Sequence, residues 1–129
     1  MNTEYIESLW EKRRNHEALS DAERIVLDAC NHAEYFGNSS ITYGKTFNKL
    51  VVPELVSVLH KAGINEFCIT RQPRDMLTVY AVMEEYGLKL RGMVYLENCE
   101  YTKDIQQWGE SWQKHTVPAL RFSFEKIPE

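Results

Sequence analysis

The sequence predicts an α+β two-layer sandwich. N-terminal helices pack on a small three-stranded sheet that contains a parallel β-α-β unit. Three observations lead there. Residues 65–98 read as strand, loop, helix, strand; residues 20–36 carry a capping box and a helical apolar stripe; residues 120–125 alternate apolar and polar near the end of the chain. The 129 residues form one domain, with a helical part at 1–63, the β-α-β unit at 64–98 and a C-terminal helix and strand at 99–129. A chain of this length buries about two-thirds of its unfolded surface without staples.

Thr3 caps a first helix that runs to about Asn15, with Ile6, Leu9 and Trp10 on its apolar side. Ser20 and Glu23 then form a capping box: the serine oxygen takes a backbone N–H and the glutamate reaches back. The second helix comes next, with Ala22, Ile25, Val26, Ala29, Cys30, Ala33 and Phe36 at helical spacing, and Gly37 ends it. Residues 38–44 are a polar loop, the stretch most open to local motion. A third helical pattern covers 45–62 through Phe47, Leu50, Val51, Leu55, Val58 and Leu59. Pro53 interrupts it. A proline inside a helix costs about 3 kcal/mol, so the pattern either kinks or restarts with Pro53 in a new first turn.

Residues 66–70 make a strand with Phe67 and Ile69 on one face. A polar break at 71–75 leads to a helix at 76–86, and Gly87 stops it. Leu88, Leu90, Val94 and Leu96 alternate in the next strand. A connection of this length suits two parallel strands joined by a right-handed crossover. Ile105, Trp108 and Trp112 sit three and four apart and predict a helix from about 102 to 115, weakened by Gly109. Pro118 breaks it, and Leu120, Phe122 and Phe124 alternate as the third strand. Pleat arithmetic then places Glu66, Cys68, Thr70, Lys89, Arg91, Met93, Tyr95, Arg121, Ser123 and Glu125 on the sheet's outward face.

A net charge of −4, from 19 acidic and 15 basic side chains, has the wrong sign for a general nucleic-acid binder and is too mild for a DNA mimic. Cys30, Cys68 and Cys99 are an odd number with no CxxC pair, the pattern of reduced packing cysteines in a cytoplasmic protein. No apolar run approaches the roughly 18 residues of a membrane span, and no signal peptide precedes the first helix. His16, His32, His60 and His115 show no metal-ligand spacing.

Residues 43–49 (Tyr43, Gly44, Lys45, Thr46, Phe47, Asn48, Lys49) and 59–70, where Ala62 and Gly63 precede Glu66, Phe67 and Ile69, carry a resemblance. With the glycine-bounded strand from Gly87 to Leu96, they resemble a small family of accessory proteins from bacteria, phages and mobile elements. The resemblance covers about residues 43–97. It implies no activity and no site residue. It implies a way of life, in which a small protein regulates or inhibits host machinery by binding it.

Four constellations carry possible chemistry. Gly44, Lys45 and Thr46 end as a P-loop does, but position 39 is serine and a predicted helix precedes them, so a glycine-permitted turn explains them better. Arg71, Gln72 and Arg74 lie between a strand's carboxyl end and a helix N-terminus, a place for an anion. The plainer account has Asp75 capping the helix and Pro73 stiffening the turn. Lys89, Arg91, Tyr95 and Arg121 share the predicted outward face, where arginines and aromatics stack single-stranded bases; a cover formed by 102–115 is the competing account. Tyr101, Trp108 and Trp112 form an aromatic cluster of the kind that anchors protein contacts, or else a lid over the sheet. The sequence thus favours a non-enzymatic binding or regulatory protein that needs no cofactor. Its expected partner is a protein and not a nucleic acid or a membrane, with a homo-oligomer left open. Anion or nucleotide binding at the Arg71–Arg74 loop and single-stranded nucleic-acid binding on the sheet are the alternatives.

Overall fold

The computed structural model describes residues 1–36, 41–104 and 109–124, with side chains at 1–34, 41–96 and 117–124. Among the described residues, four α-helices pack with a four-stranded mixed sheet of order β1-β2-β4-β3. The α+β class is as the sequence predicts; the sheet has four strands and not three.

Helix α1 (Thr3–Arg14) is capped by Asn2, whose side chain accepts from the Tyr5 N–H, so the cap lies one residue before the expected Thr3. Helix α2 (Asp21–Phe36) opens on the predicted capping box. The Ser20 N–H donates to Glu23 Oε1 at 3.0 Å, and the Glu23 N–H donates to Ser20 Oγ at 3.2 Å. Strand β1 (Thr42–Tyr43) falls inside the stretch expected to be a loop, and both residues are buried. A short 3-10 helix (Lys49–Val51), capped by Asn48, leads into α3 (Val52–Lys61), with Pro53 in the first turn. Of the two outcomes foreseen for Pro53, the restart is the one found.

Strands β1 and β2 (Glu66–Ile69) are parallel neighbours joined through α3, so the parallel β-α-β unit is β1-α3-β2, one step earlier in the chain than expected. After β2 come α4 (Met76–Glu85), β3 (Leu88–Asp104) and β4 (Gly109–Phe124). Strand β4 runs antiparallel to both β2 and β3 and lies between them. The strands flanking α4 therefore point the same way, as the crossover argument requires, but are not hydrogen-bonded neighbours.

The helix expected at 102–115 is a correction. Its described residues belong to β3 and β4, which form a long hairpin. The three-and-four spacing of Ile105, Trp108 and Trp112 is a short pattern, Gly109 disfavours helix, and Tyr101, Thr102, Thr116 and Val117 favour strand. Tertiary pairing over the whole of β3 decides. Pro118 stands inside β4, opposite Tyr95, rather than ending an element. The β2 partner register ends at Ile69↔Leu120, so Pro118 lies where one side of β4 has lost its neighbour and a missing N–H costs no ladder bond.

One core unites all these elements. Phe67 and Phe122 are cross-strand partners at its centre and are wholly buried, with Leu9, Leu27, Leu55, Leu59, Ile69, Met83 and Leu88 around them. Tyr80 on α4 lays its ring over Phe122 with centroids 5.2 Å apart.

Candidate functional site

The feature that positions the candidate site is a bulge in β3. Leu90 pairs with Phe122 and Gly92 with Arg121, leaving Arg91 as the extra residue. Gly92 has φ +128°, a conformation L side chains rarely adopt, although a Cβ there would meet nothing within 4 Å. Glycine is needed for the backbone and not for space. One inserted residue reverses every later side chain. Met93 pairs with Leu120, itself the partner of Ile69, so Met93 and Tyr95 lie on the core side of the sheet with Leu88 and Leu90. Val94 and Leu96, opposite Ala119 and Val117, lie on the outer side.

This corrects the predicted outward face. Met93 and Tyr95 leave it, and Val94 and Leu96 join it. The expected nucleic-acid set is split: Lys89, Arg91 and Arg121 share the outer side while Tyr95 is on the other. The cations there are already engaged. Arg91 Nε donates to Ser123 Oγ at 2.8 Å, and Arg121 Nη1 stands 3.5 Å from Glu66 Oε1. Thr42, Cys68 and Ala119 belong to the same side by register yet are buried, so its centre is not the open surface the alternation implies.

On the core side, the helices cover Leu88 fully but stop short of the strand beyond it. Leu90, Met93 and Tyr95 are 48%, 59% and 69% exposed. They occupy successive core-side positions of an edge strand. Sequence reasoning missed this row because it counted straight through residue 91. The available signal was Gly92, an isolated glycine inside a strand pattern, which marks a bulge.

Arg71, Gln72 and Arg74 are exposed on the β2–α4 connection, with Pro73 buried between them. Neither arginine makes an ion pair among the described residues. Asp75 occupies the α4 cap position but its side chain makes no capping hydrogen bond, contrary to the plainer expectation. Two grooves, of about 800 and 430 Å³, lie elsewhere and are not lined by these residues. The loop presents two cations to solvent rather than a walled pocket for an anion.

The larger of these two grooves, about 800 Å³, lies between the start of α2 and the β1–α3 connection. Ser20, Asp21, Arg24, Tyr43, Lys45 and Thr46 help line it. A strand, β1, precedes Gly44, where the sequence pattern shows only loop. Even so, helix begins only after the Asn48 cap, so Lys45 and Thr46 do not open a helix as in a P-loop. Asp21 pairs with Arg24, Asp28 with Arg13, and the Ser20 hydroxyl is taken by the cap. Burial, with Asp28 nearby, pushes the Tyr43 phenol above its ordinary pKa. Burial alone would raise Glu23, but the Ser20 bonds and Lys12 hold it below the usual carboxylate value. Burial raises the Cys30 thiol to about 11, an unreactive state. The groove has mixed charge, and its Asp21, Arg24, Asp28 and Ser20 side chains already have partners.

Tyr101 and Trp112 are direct cross-strand partners in the hairpin, and Trp108 lies outside the described residues. Among the described residues no group of three or more histidine, cysteine or acidic side chains is placed to hold a metal ion, and no helix is long and apolar enough to cross a membrane. No protein-family model matches the chain, and no curated protein matches it.

Proposed function

We propose that the protein acts by binding another protein, as a regulatory or accessory component, and that the edge of β3 is its contact surface. The observation that carries this is the exposed row of Leu90, Met93 and Tyr95 on an edge strand. Scattered exposed apolar side chains such as Leu50 or Leu77 need no explanation, but a contiguous row along an unpaired edge marks an interaction site. Tyrosine and methionine are also among the residues enriched in interface cores. The resemblance of residues 43–97 to accessory proteins of mobile elements is in keeping with such a role and makes a host protein the partner to seek.

The test is quantitative affinity capture from host lysate with the wild-type chain and a Leu90→Ser, Met93→Ser, Tyr95→Ser variant. Specific partners are expected to be retained by the first and lost by the second, while both melt within a few degrees of each other. Equal retention by the two would remove β3 as the contact surface.

A further inference from the structure

We infer that two copies of this chain associate through the exposed side of α4, packed antiparallel about a two-fold axis. The inference goes beyond the β3 reading and uses a different surface. Seven of the eight residues from Met76 to Met83 are apolar, Thr78 being the exception. A helix that is apolar all round belongs in an interior, yet only Val79 and Met83 of α4 are buried. Met76, Leu77, Ala81 and the C-cap residue Tyr86 are exposed, Leu77 to 79%. The other helices behave differently. Among the described side chains, α1, α2 and α3 expose no large apolar residue and turn Glu7, Arg24 and Glu54 outward.

The charges at its two ends say what covers it. Arg71 and Arg74 stand just ahead of α4, and Glu84 and Glu85 close it. All four are exposed, and none makes an ion pair among the described residues. Both sets oppose the helix's own dipole, which favours acids at the start and bases at the end. The neighbouring charges leave this polarity in place. Asp75 offsets one arginine. Helices α3 and α4 each cross between strands that point the same way, so the 3-10 helix before α3 lies toward the start of α4 and adds Lys49. Glu54, in the first turn of α3, lines the groove on the α2 side instead. Lys61, at the other end of α3, pairs with neither glutamate. Lys89 lies on the outer side of the sheet and is already engaged. The start of α4 is left cationic and its end acidic.

A second copy turned end for end meets this pattern with its complement. Packed in parallel, two such helices set like charges together; packed antiparallel, both ends match at once. Residues 74 and 85 share a midpoint with Thr78 and Ala81, which are small and exposed. A two-fold axis through that midpoint sets Arg74 of one copy against Glu85 of the other, twice over. The small residues at the axis let the two helices approach closely, since interaxial distance depends on the side chains at the contact. A helix of another protein would need the same polarity in its own sequence, whereas a second copy brings it by identity.

The experiment is sedimentation equilibrium of the full chain, where the wild type is expected to dimerise with a Kd on the order of 10–100 µM, as suits a small interface. One variant carries Arg71→Glu and Arg74→Glu, the other Glu84→Arg and Glu85→Arg. Each alone sets like charges together at both ends and is expected to dimerise at least about tenfold more weakly. An equimolar mixture of the two restores attraction at both ends and is expected to form a heterodimer about as tightly as the wild type does. Circular dichroism checks that the variants fold. Leu77→Ser leaves every charge in place, removes only an exposed side chain, and is also expected to weaken the dimer about tenfold. A wild type that stays monomeric throughout, a dimer as tight in either charge variant or in Leu77→Ser as in the wild type, or a mixture that associates no better than its parts would overturn the inference. The β3 reading stands or falls separately, because Leu90, Met93 and Tyr95 are unchanged in all these variants.

Discussion

Strand β1, at one edge of the sheet, is two residues long, and both are buried, with Tyr43 only 7% exposed. Helix α2 packs against it. Strand β3, at the other edge, is 17 residues long, and its Tyr95 is 69% exposed. An unpaired edge is a template for a further strand, and proteins blunt it by shortening it, covering it, charging it or bulging it. The first edge is short and covered. The second is long, has no further strand beside it among the described residues, and carries the bulge at Arg91 and the cations Lys89 and Arg91. A covered edge cannot admit a partner without moving a helix. An edge guarded by charge and a bulge stays available to whatever satisfies both, which is why the proposed contact lies on β3.

The two tyrosines, one on each edge, allow the comparison to be broken. Tyr43 lies in the core cluster with Phe47, ring centroids 6.2 Å apart. Tyr43→Ala is expected to cost about 3 kcal/mol or more, the range for deleting a buried aromatic. In a domain of this size that lowers the melting temperature by about ten degrees or more, read by circular dichroism. A loss below about 1 kcal/mol would mean that α2 closes over the gap and that the β1 edge is less firmly covered than its burial indicates.

The bulge sharpens the same contrast. Gly92→Val places a β-branched residue at φ +128°, where the open space around the Cβ does not relieve backbone strain. The expected cost is about 1–3 kcal/mol in urea unfolding. If the strand escapes by removing the bulge, Met93 and Tyr95 turn to the outer side, and cross-strand NOEs between residues 93 and 120 disappear. A variant with wild-type stability and unchanged NOEs would show that the bulge does not depend on glycine.

The helical half was legible because its signals are local. The Ser20–Glu23 box and the stripe on α2 need nothing distant, and Pro53 could only kink or restart a helix. The sheet was less legible because its pairing is not local. Nothing between residues 65 and 98 discloses that β4 slips between the two strands flanking α4, since β4 lies further along the chain. The two residues of β1 are too few to show an alternation. At 102–115 the helical spacing of Ile105, Trp108 and Trp112 is a weaker signal than the strand preference on either side. The site was legible only as far as the sheet was. Alternation alone brings Lys89, Arg91 and Arg121 to one side, as the register does, whereas the bulge at Arg91 turns Met93 and Tyr95 to the other.

The smallest expected effect is the most informative about β3. Tyr95 pairs across the ladder with Pro118 and leaves most of its ring in solvent, so Tyr95→Ala should change stability by no more than about 0.5 kcal/mol. The contrast with Tyr43→Ala holds residue type and edge position constant and varies only the cover. Urea titrations of the two variants, run at several protein concentrations, measure it. If Tyr95→Ala costs as much as Tyr43→Ala, the edge of β3 is covered in solution. If that cost grows with protein concentration, the cover is a second copy of the chain. A cost near zero at every concentration leaves the row of Leu90, Met93 and Tyr95 open, as a surface kept for a different partner must be.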